Sequence, residues 1–433
     1  MPTLRDPVRA ASAAVFAVFF LNGFNFASWA SRLPAVRDGL GLSAGQMGLL
    51  LLVGSVGSLV SLPLAGTIIE RLGAPRTVLG FAVLNAVGLT TATVGVALDQ
   101  IVLTGVGLVA YGVGTGVWDA AMNLEGALVE QRIGRTIMPR YHASFSFGTV
   151  AAAGIAAIAA GLHVPVEIHI PVAVAASTVA VALAVRSFLP AGHGDVVVPD
   201  EAGSPAASGG RARRALAAWL EPRTLLIGLV VLAAALTEGS ANDWVSLAVV
   251  DGFDTQHAVG AVALGVFLAS MTATRWFGTA LLDRFGRVVV LRLCAALALV
   301  GLTLFGLAPT LWLAVVGILA WGAGAALGFP VGMSAAADDP LRAAARVSVV
   351  STIGYSAFLA GPPLLGLLAE HVGYRHALLV ILVPVALGIF VAGAAAPLRR
   401  PEDAASGTPH PPADEPADEP VDQPLEQPVD ERP

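Results

Sequence analysis

Polar and ionisable side chains recur at helical spacing inside otherwise apolar runs of this sequence. Asp119 and Asn123 lie four residues apart, as do Glu238 and Asn242, so each pair shares one face of a helix. A carboxylate with an amide one turn away can bind a hydroxyl or an amine, and a carboxyl in an apolar setting can take up a proton. Because an ionisable residue near the centre of a bilayer costs about 2.5–3.5 kcal/mol, such positions are candidates for function.

The first apolar run carries a second polar stripe. Asn22, Asn25, Trp29 and Arg32 follow one another at spacings of three, four and three residues. Amides supply hydrogen bonds, and an indole supplies a plane on which the apolar face of a sugar or an aromatic solute can stack. The alternative is that Trp29 and Arg32 are interfacial anchors and that the amides tie helices together.

These stripes define the predicted site. The predicted substrate-binding residues are Asn22, Asn25, Trp29, Trp118, Asp119, Asn123, Asn242 and Tyr355. The predicted proton-coupling residues are Asp119 and Glu238, although a structural hydrogen bond is an alternative role for Asp119. A pair between Asp243 and Arg32, as an outer gate, is a further option.

The elements that position these residues are membrane-spanning helices. The chain has 433 residues, of which 56% are hydrophobic and 12% charged, against roughly 25% charged in soluble domains. Charged and Pro/Gly-rich breaks cut it into twelve apolar runs, each near the length that spans a bilayer. The runs cover residues 12–33, 45–67, 76–96, 101–127, 142–161, 169–189, 224–249, 258–280, 287–307, 309–335, 347–369 and 374–396.

The distribution of Arg predicts the orientation. All 24 basic residues are Arg, and with the N-terminus inside, twenty fall in cytoplasmic segments, whereas Arg32, Arg37 and Arg375 fall on the other side. By the positive-inside rule both termini are cytoplasmic, in the plasma or cytoplasmic membrane.

Composition divides the chain into four parts. We expect a six-helix bundle over residues 1–189, a cytoplasmic linker over 190–222, a second bundle over 223–398 and a disordered acidic, Pro-rich tail over 399–433. The Arg cluster of the linker is expected to contact anionic lipid rather than nucleic acid.

Motifs typical of several other protein classes are missing from the sequence. The sequence has no Walker A motif and no Cys/His cluster with zinc spacing, which disfavours an ATP-driven pump, an enzyme, a cofactor and a metal site. Cys294 is the one cysteine, so no intramolecular disulfide is possible. Gly112, Gly114 and Gly116 lie inside an apolar run, where close helix packing explains them.

Two charged turns repeat one pattern 213 residues apart: Glu70-Arg71-Leu72-Gly73 and Asp283-Arg284-Phe285-Gly286, the second followed by Arg287. Such turns cannot lie in hydrocarbon, so each is a tight connection at a membrane face. With twelve runs in two halves, they resemble the loops of the major facilitator superfamily. This resemblance implies a gating role for Glu70, Arg71, Asp283, Arg284 and Arg287.

Within that superfamily, residues 114–123, with an acid followed four residues later by Asn, are similar to the fourth helix of fucose-permease-like sugar transporters. The resemblance implies a substrate or proton role for Asp119 and Asn123. Members of that branch can also carry an acid in the first helix, whereas residues 27–30 here contain none.

The expected protein is an all-α polytopic membrane protein with twelve transmembrane helices in two bundles. We expect a monomeric, alternating-access transporter that moves a small polar, sugar-like solute together with protons. One alternative is a proton-driven exporter of drugs or amphipathic compounds. Another is a membrane receptor or scaffold that binds partners through the acidic tail.

Overall fold

The helices follow one another with short connections. The computed structural model describes residues 5–134, 137–189, 217–339 and 342–398; the expected tail and most of the expected linker lie outside these ranges. The helices are α1 (Arg5–Ala30), α2 (Leu33–Gly39), α3 (Ala44–Leu72), α4 (Ala74–Ala97), α5 (Ile101–Ile133), α6 (Met138–Gly161), α7 (Val166–Ala184), α8 (Pro222–Gly252), α9 (His257–Leu307), α10 (Leu311–Ala325), α11 (Gly328–Ala336), α12 (Ala343–Ala377) and α13 (Leu382–Val391). The described residues contain no strand.

Length and hydropathy identify the membrane crossings. Eleven helical segments of the described chain are long and apolar enough to span a bilayer. The last of these, Ala345–Ala395, has 51 residues and contains a sharp turn at Gly373, so it makes two crossings. The all-α fold with twelve crossings is therefore confirmed, with α1–α7 forming a first bundle and α8–α13 a second.

Three glycines make sharp turns between crossings. Gly73, Gly286 and Gly373 have φ of 76°, 73° and 77° and ψ of 155°, 162° and 158°. L side chains rarely adopt this conformation, which glycine reaches at little cost. A Cβ on Gly286 or Gly373 would meet nothing within 4 Å, so the backbone angle, not crowding, requires the glycine. Two of the three end the repeated charged motifs, whereas Gly373 belongs to a turn that the motif did not reveal.

Small residues bring neighbouring helices of one bundle together. A Cβ on Gly114 would lie 2.6 Å from the backbone nitrogen of Asn85 in α4, and one on Gly116 would lie 2.7 Å from the Ser61 hydroxyl in α3. The helix-packing interpretation of these glycines is therefore confirmed. This packing fixes the position of the polar face of α5 one turn further along the helix.

The two bundles contact each other mainly through α3 against α12 and α6 against α9. We call the face that carries α2 and the start of α3 the latch face, and the face that carries the Gly73 and Gly286 turns the motif face. On the latch face a Cβ on Gly366 of α12 would lie 2.5 Å from the Ala44 carbonyl of α3. The bundles therefore pack tightly at the latch face.

Candidate functional site

Asp119 of α5 faces the second bundle. Its side chain is partly exposed and makes no hydrogen bond or ion pair with the described residues, while its main-chain carbonyl accepts a hydrogen bond from Asn123 Nδ2 at 2.9 Å. Tyr355 of α12 lies within Coulombic range of the Asp119 carboxyl and is 38% exposed. The predicted acid and the predicted phenol thus come from different bundles, and we call the space between them the gap.

A chain of buried amides holds α5 in place. Asn25 Nδ2 donates to Asn85 Oδ1 at 3.0 Å, and Asn85 Nδ2 donates to the Thr115 hydroxyl at 2.9 Å. The Thr115 hydroxyl donates in turn to the Tyr111 carbonyl at 2.9 Å. Asn25 is thereby used to connect α1 to α4. Asn85 was not predicted, although a lone amide in an apolar run is the signal that identified the other candidates.

The remaining candidates of the first bundle are enclosed. Asn22 is 4% exposed and its Nδ2 has no partner among the described residues, and Trp29 is also 4% exposed. Trp118 is fully buried among core residues such as Phe19 and Tyr141. In this state Trp118 therefore supports the position of Asp119 from behind rather than lining the gap.

Glu238 of α8 has a counter-charge. Arg275 of α9 donates through Nη2 to the Glu238 carboxylate at 2.7 Å and through Nε to the Ala326 carbonyl at 3.0 Å. The exposed side chain of His142 in α6 lies within Coulombic range of Arg275. Of the two predicted coupling acids, Asp119 is therefore unpaired and Glu238 is paired.

Asn242 and Asp243 follow Glu238 along α8. Asn242 is 9% exposed and its Oδ1 has no hydrogen-bond partner among the described residues. Asp243 is partly exposed and makes no hydrogen bond or ion pair there. The suggested pair between Asp243 and Arg32 is wrong, because Arg32 donates instead to the Val164 carbonyl at 2.7 Å. Burial lowers the pKa of Arg32, which lies in the connection that follows α1.

Ion pairs join the bundles at the latch face. Arg37 in α2 contacts Asp251 at the end of α8 at 2.5 Å, and Asp38 contacts the His257 ring at the start of α9 at 2.8 Å. Burial alone would lower the pKa of Arg37, but hydrogen bonds to Asp251, Tyr374 and Asp38 raise it overall. We call Arg37, Asp38, Asp251 and His257 the latch.

A second polar contact lies beside the latch. The Ser43 hydroxyl and the Gly45 backbone N–H both donate to the carboxylate of Glu370 in α12. The start of α3 is thereby bonded to the second bundle. Neither this contact nor the latch was predicted, because all of these charges stand in short connections or at helix ends where spacing carries no signal.

The predicted gating residues lie on the motif face and are mostly unpaired. Glu70, Arg71 and Asp283 are exposed and form no ion pair among the described residues. The Arg284 guanidinium lies 5.4 Å from the centre of the Phe285 ring. Arg287 pairs with Asp338 at 2.6 Å, and both belong to the second bundle.

Further charge contacts of the motif face also stay within the second bundle. Arg223 pairs with Asp338 at 2.9 Å, while Glu221 contacts Arg342 at 3.0 Å and Arg346 at 2.7 Å. Over the described ranges, the polar contacts between bundles thus lie at the latch face. The described contacts thus hold the bundles together at the latch face, and among the described residues no ion pair joins the bundles at the motif face.

Comparisons with known proteins agree with this architecture. The family model of the Major Facilitator Superfamily matches residues 15–345 and 244–420. An uncharacterized transporter of Sinorhizobium fredii is 32% identical over 383 residues, covering 86% of this chain and 97% of the relative.

Two solved structures share the fold. A mutant form of the nucleoside transporter NupG superposes with a TM-score of 0.70 at 15% identity, covering 89% of this chain and 98% of that one. A mutant form of the Escherichia coli fucose:proton symporter FucP superposes with a TM-score of 0.60 at 16% identity, with the same two coverages. The bundles, the repeated turns and the family match lead to one conclusion: the chain is an integral membrane transporter that belongs to the major facilitator superfamily.

Proposed function

We propose that this chain is a proton-coupled symporter of a small polar, sugar-like solute, working as a monomer in the cell membrane. The motif face is cytoplasmic in this proposal, as the distribution of Arg predicts. The described state is then sealed toward the outside and open toward the cytoplasm. Rocking of the two bundles would expose the gap to either side in turn.

The observation that carries the proposal is the unpaired Asp119 carboxyl opposite Tyr355. The two groups come from different bundles, so a solute that binds both would contact both moving parts. A carboxylate and a phenol suit a hydroxylated solute, since each can hydrogen-bond to hydroxyl groups. Asn123 and Asn242 add amide groups near the two acids, and Asn242 Oδ1 is free to accept a hydrogen bond.

Proton coupling is assigned first to Asp119. An acid without a counter-charge inside a membrane protein is stabilised by taking up a proton. Glu238 already has Arg275 at 2.7 Å, so its protonation would cost that ion pair. Glu238 is therefore the second candidate for proton coupling, and its pairing with Arg275 can change between states.

Structural neighbours support a hydroxylated solute. One carries a nucleoside and another is a fucose:proton symporter, according to their descriptions. Both solutes contain a polyhydroxylated ring. Their identities to this chain are 15% and 16%, so they support the solute class and do not name the solute.

Proton uptake into proteoliposomes tests the proposal. A thermal-shift screen of sugars, amino acids and drugs first ranks the compounds by how much they stabilise the protein. A pH-sensitive dye inside the vesicles then reports acidification when L-fucose, D-xylose or uridine is added outside. We expect acidification with at least one probe, and Asp119→Asn should reduce it at least tenfold. The control Asp99→Asn changes an exposed loop acid whose positive φ of 53° suits Asn. Acidification that persists unchanged in both Asp119→Asn and Glu238→Gln would refute the coupling assignment.

One observation favours a second candidate, the proton-driven exporter of amphipathic compounds. Rings of Phe329, Tyr355 and Phe358 follow one another with centroid distances of 6.2 and 6.4 Å. Such a row favours solutes with a large apolar face. Drug sensitivity of a deletion strain without any change in sugar or nucleoside uptake would select the exporter.

A further inference from the structure

Asp243 lies in the half of α8 that leads to the latch. It lies in α8 eight residues before Asp251 of the latch, which is roughly 12 Å along a helix. We propose that Asp243 is a second proton-carrying carboxyl, which must be neutral for the latch face to close. This inference rests on the proposed proton-coupled function and names a residue that the coupling scheme above does not use.

The surroundings of Asp243 supply no counter-charge. Among the described residues it has no ion pair and no hydrogen bond, and Tyr111 of α5 is the titratable side chain in Coulombic range. Arg275 is bonded to Glu238, and Arg37 is bonded to Asp251. Arg275, which contacts α8 at Glu238, and Arg37, which contacts α8 at Asp251, are therefore both already paired.

Tyr111 and Asp243 belong to different bundles, so their proximity depends on the closed latch face. Tyr111 is 9% exposed in this state, and Asp243 is partly exposed. An ionised carboxyl held there would lose hydration without gaining a partner, and that loss is costly. Separation of the bundles at the latch face would let outside water hydrate the ionised form.

The proton movements follow from this geometry. When the latch face is open, Asp243 equilibrates with the outside. Closing the latch face requires a proton to bind the carboxylate, and that proton comes from the outside. In the closed state the gap leads to the motif face, so the same O–H bond breaks there and the proton leaves to the cytoplasm. One proton is thereby carried inward per cycle, and the charge of Asp243 is restored.

Asp243 is distinct from the other acids by position. Asp119 lies eight residues beyond Tyr111 along α5, roughly 12 Å further toward the motif face. Glu238 lies five residues before Asp243 in α8 and keeps its own cation. Asp119 is therefore suited to the solute in the middle of the gap, and Asp243 to the closing of its latch end.

A distance measurement tests Asp243 without knowledge of the solute, with the proton as the probe. Spin labels on Gln100→Cys and Gln256→Cys, in a Cys294→Ala background of the full chain, report the separation of two exposed latch-face connections. His257→Gln in the same background removes the titration of the latch itself. We expect the ratio of closed to open molecules to rise as the pH falls, by at most tenfold per pH unit for each proton bound.

Three variants decide the outcome. Asp243→Asn should stay closed across the pH range, and its closed-to-open ratio should depend on pH less steeply than that of the parent, by the contribution of one proton. Asp243→Glu keeps a carboxyl and should retain the pH dependence of the parent. Asp254→Asn is the matched control, since this exposed acid follows the same helix with φ of 50°. The inference would be overturned if the closed-to-open ratio of Asp243→Asn depended on pH as steeply as that of the parent. It would also be overturned if the ratio of Asp243→Glu did not depend on pH.

The same data separate this inference from the proposed function. If distances do not depend on pH in the parent background, both fail. If the closed-to-open ratio no longer depends on pH in Asp119→Asn but keeps its pH dependence in Asp243→Asn, proton coupling stands and Asp243 has no part in it. If solute-driven acidification is absent but Asp243→Asn loses the pH dependence of the closed-to-open ratio, the proposed symport fails. The protonation of Asp243 on closing is then still supported.

Discussion

The latch face and the motif face use charge in different ways. At the latch face Arg37 and Asp38 of the first bundle pair with Asp251 and His257 of the second. At the motif face Arg287 and its neighbours pair within the second bundle. The helices are repeated, but the charges that join the bundles are not. In this state the ion pairs between the bundles lie at the latch face, so changes at the two faces should have different consequences.

The largest effect is expected from filling the glycine contact of the latch face. A side chain on Gly366 would meet the Ala44 carbonyl at 2.5 Å and Gly48 Cα at 3.2 Å, both backbone atoms that cannot move aside independently. Overpacking of this kind costs about 1–3 kcal/mol. Gly366→Val should lower the closed population by about fivefold to more than a hundredfold, as reported by the spin-label distance across the latch face.

A glycine in open space provides the control for this change. Gly80 in α4 has nothing within 4 Å of a built Cβ, so Gly80→Val changes volume and helix propensity without a clash. If both variants gave the same distances as the parent, the tight contact of α3 with α12 would not determine the closed state.

A smaller effect is expected from the latch ion pair. Arg37 and Asp251 have side-chain exposures of 13% and 40%, and pairs at such exposure contribute about 0.2–1 kcal/mol. Arg37→Ala should therefore open the latch face by no more than about fivefold. The exchange Arg37→Asp with Asp251→Arg should recover part of the loss, and high salt should weaken the effect.

The equivalent change on the motif face sharpens the comparison. Arg287→Ala also removes one Arg from an Asp338 ion pair, but both partners lie in the second bundle. It should lower the thermal stability and leave the latch-face distance unchanged. If Arg287→Ala changed that distance as much as Arg37→Ala does, the ion pairs of the two faces would not act independently.

The fold was predictable because it depends on patterns that repeat. Twelve apolar runs and the Gly73 and Gly286 turns follow from hydrophobicity and from the conformational freedom of glycine, which act locally. The runs 347–369 and 374–396 also predicted a connection at Gly373, but not that it makes the same turn, since its flanking residues do not repeat the acidic-Arg pattern.

The site was predictable only as a set of polar residues. Spacing on one helix placed Asp119 and Asn123 on a common face, but it could not tell which acid has a cation nearby. Arg275 lies 37 residues from Glu238, and Arg37 lies 214 residues from Asp251, so these pairs depend on how helices pack. Asn85 shows the same limit, because its two partners come from different helices.

The smallest effect is expected from acidification of the motif face. Glu221 accepts hydrogen bonds from Arg346, Thr224 and Arg342. The hydrogen bond from Arg346 is the largest cause that holds the pKa of Glu221 below its ordinary value of 4.5, and burial opposes it. Because the folded pKa is the lower one, the stabilisation is complete above the unfolded value and is lost as the pH falls through the folded value.

The thermal stability of Glu221→Gln tests this sign. The melting temperature of the parent should exceed that of Glu221→Gln most at neutral pH, and the difference should shrink as the pH falls from neutral to about 3. Glu70→Gln is the control, because Glu70 is exposed and unpaired among the described residues, and its melting temperature at neutral pH should match that of the parent. A difference that grows on acidification would mean that the carboxylate of Glu221 destabilises the second bundle. Since the hydrogen bonds that Glu221 makes with the described residues all lie within that bundle, the latch-face distance should not follow the loss of stability. A matching change of the distance would mean that the two faces are coupled energetically.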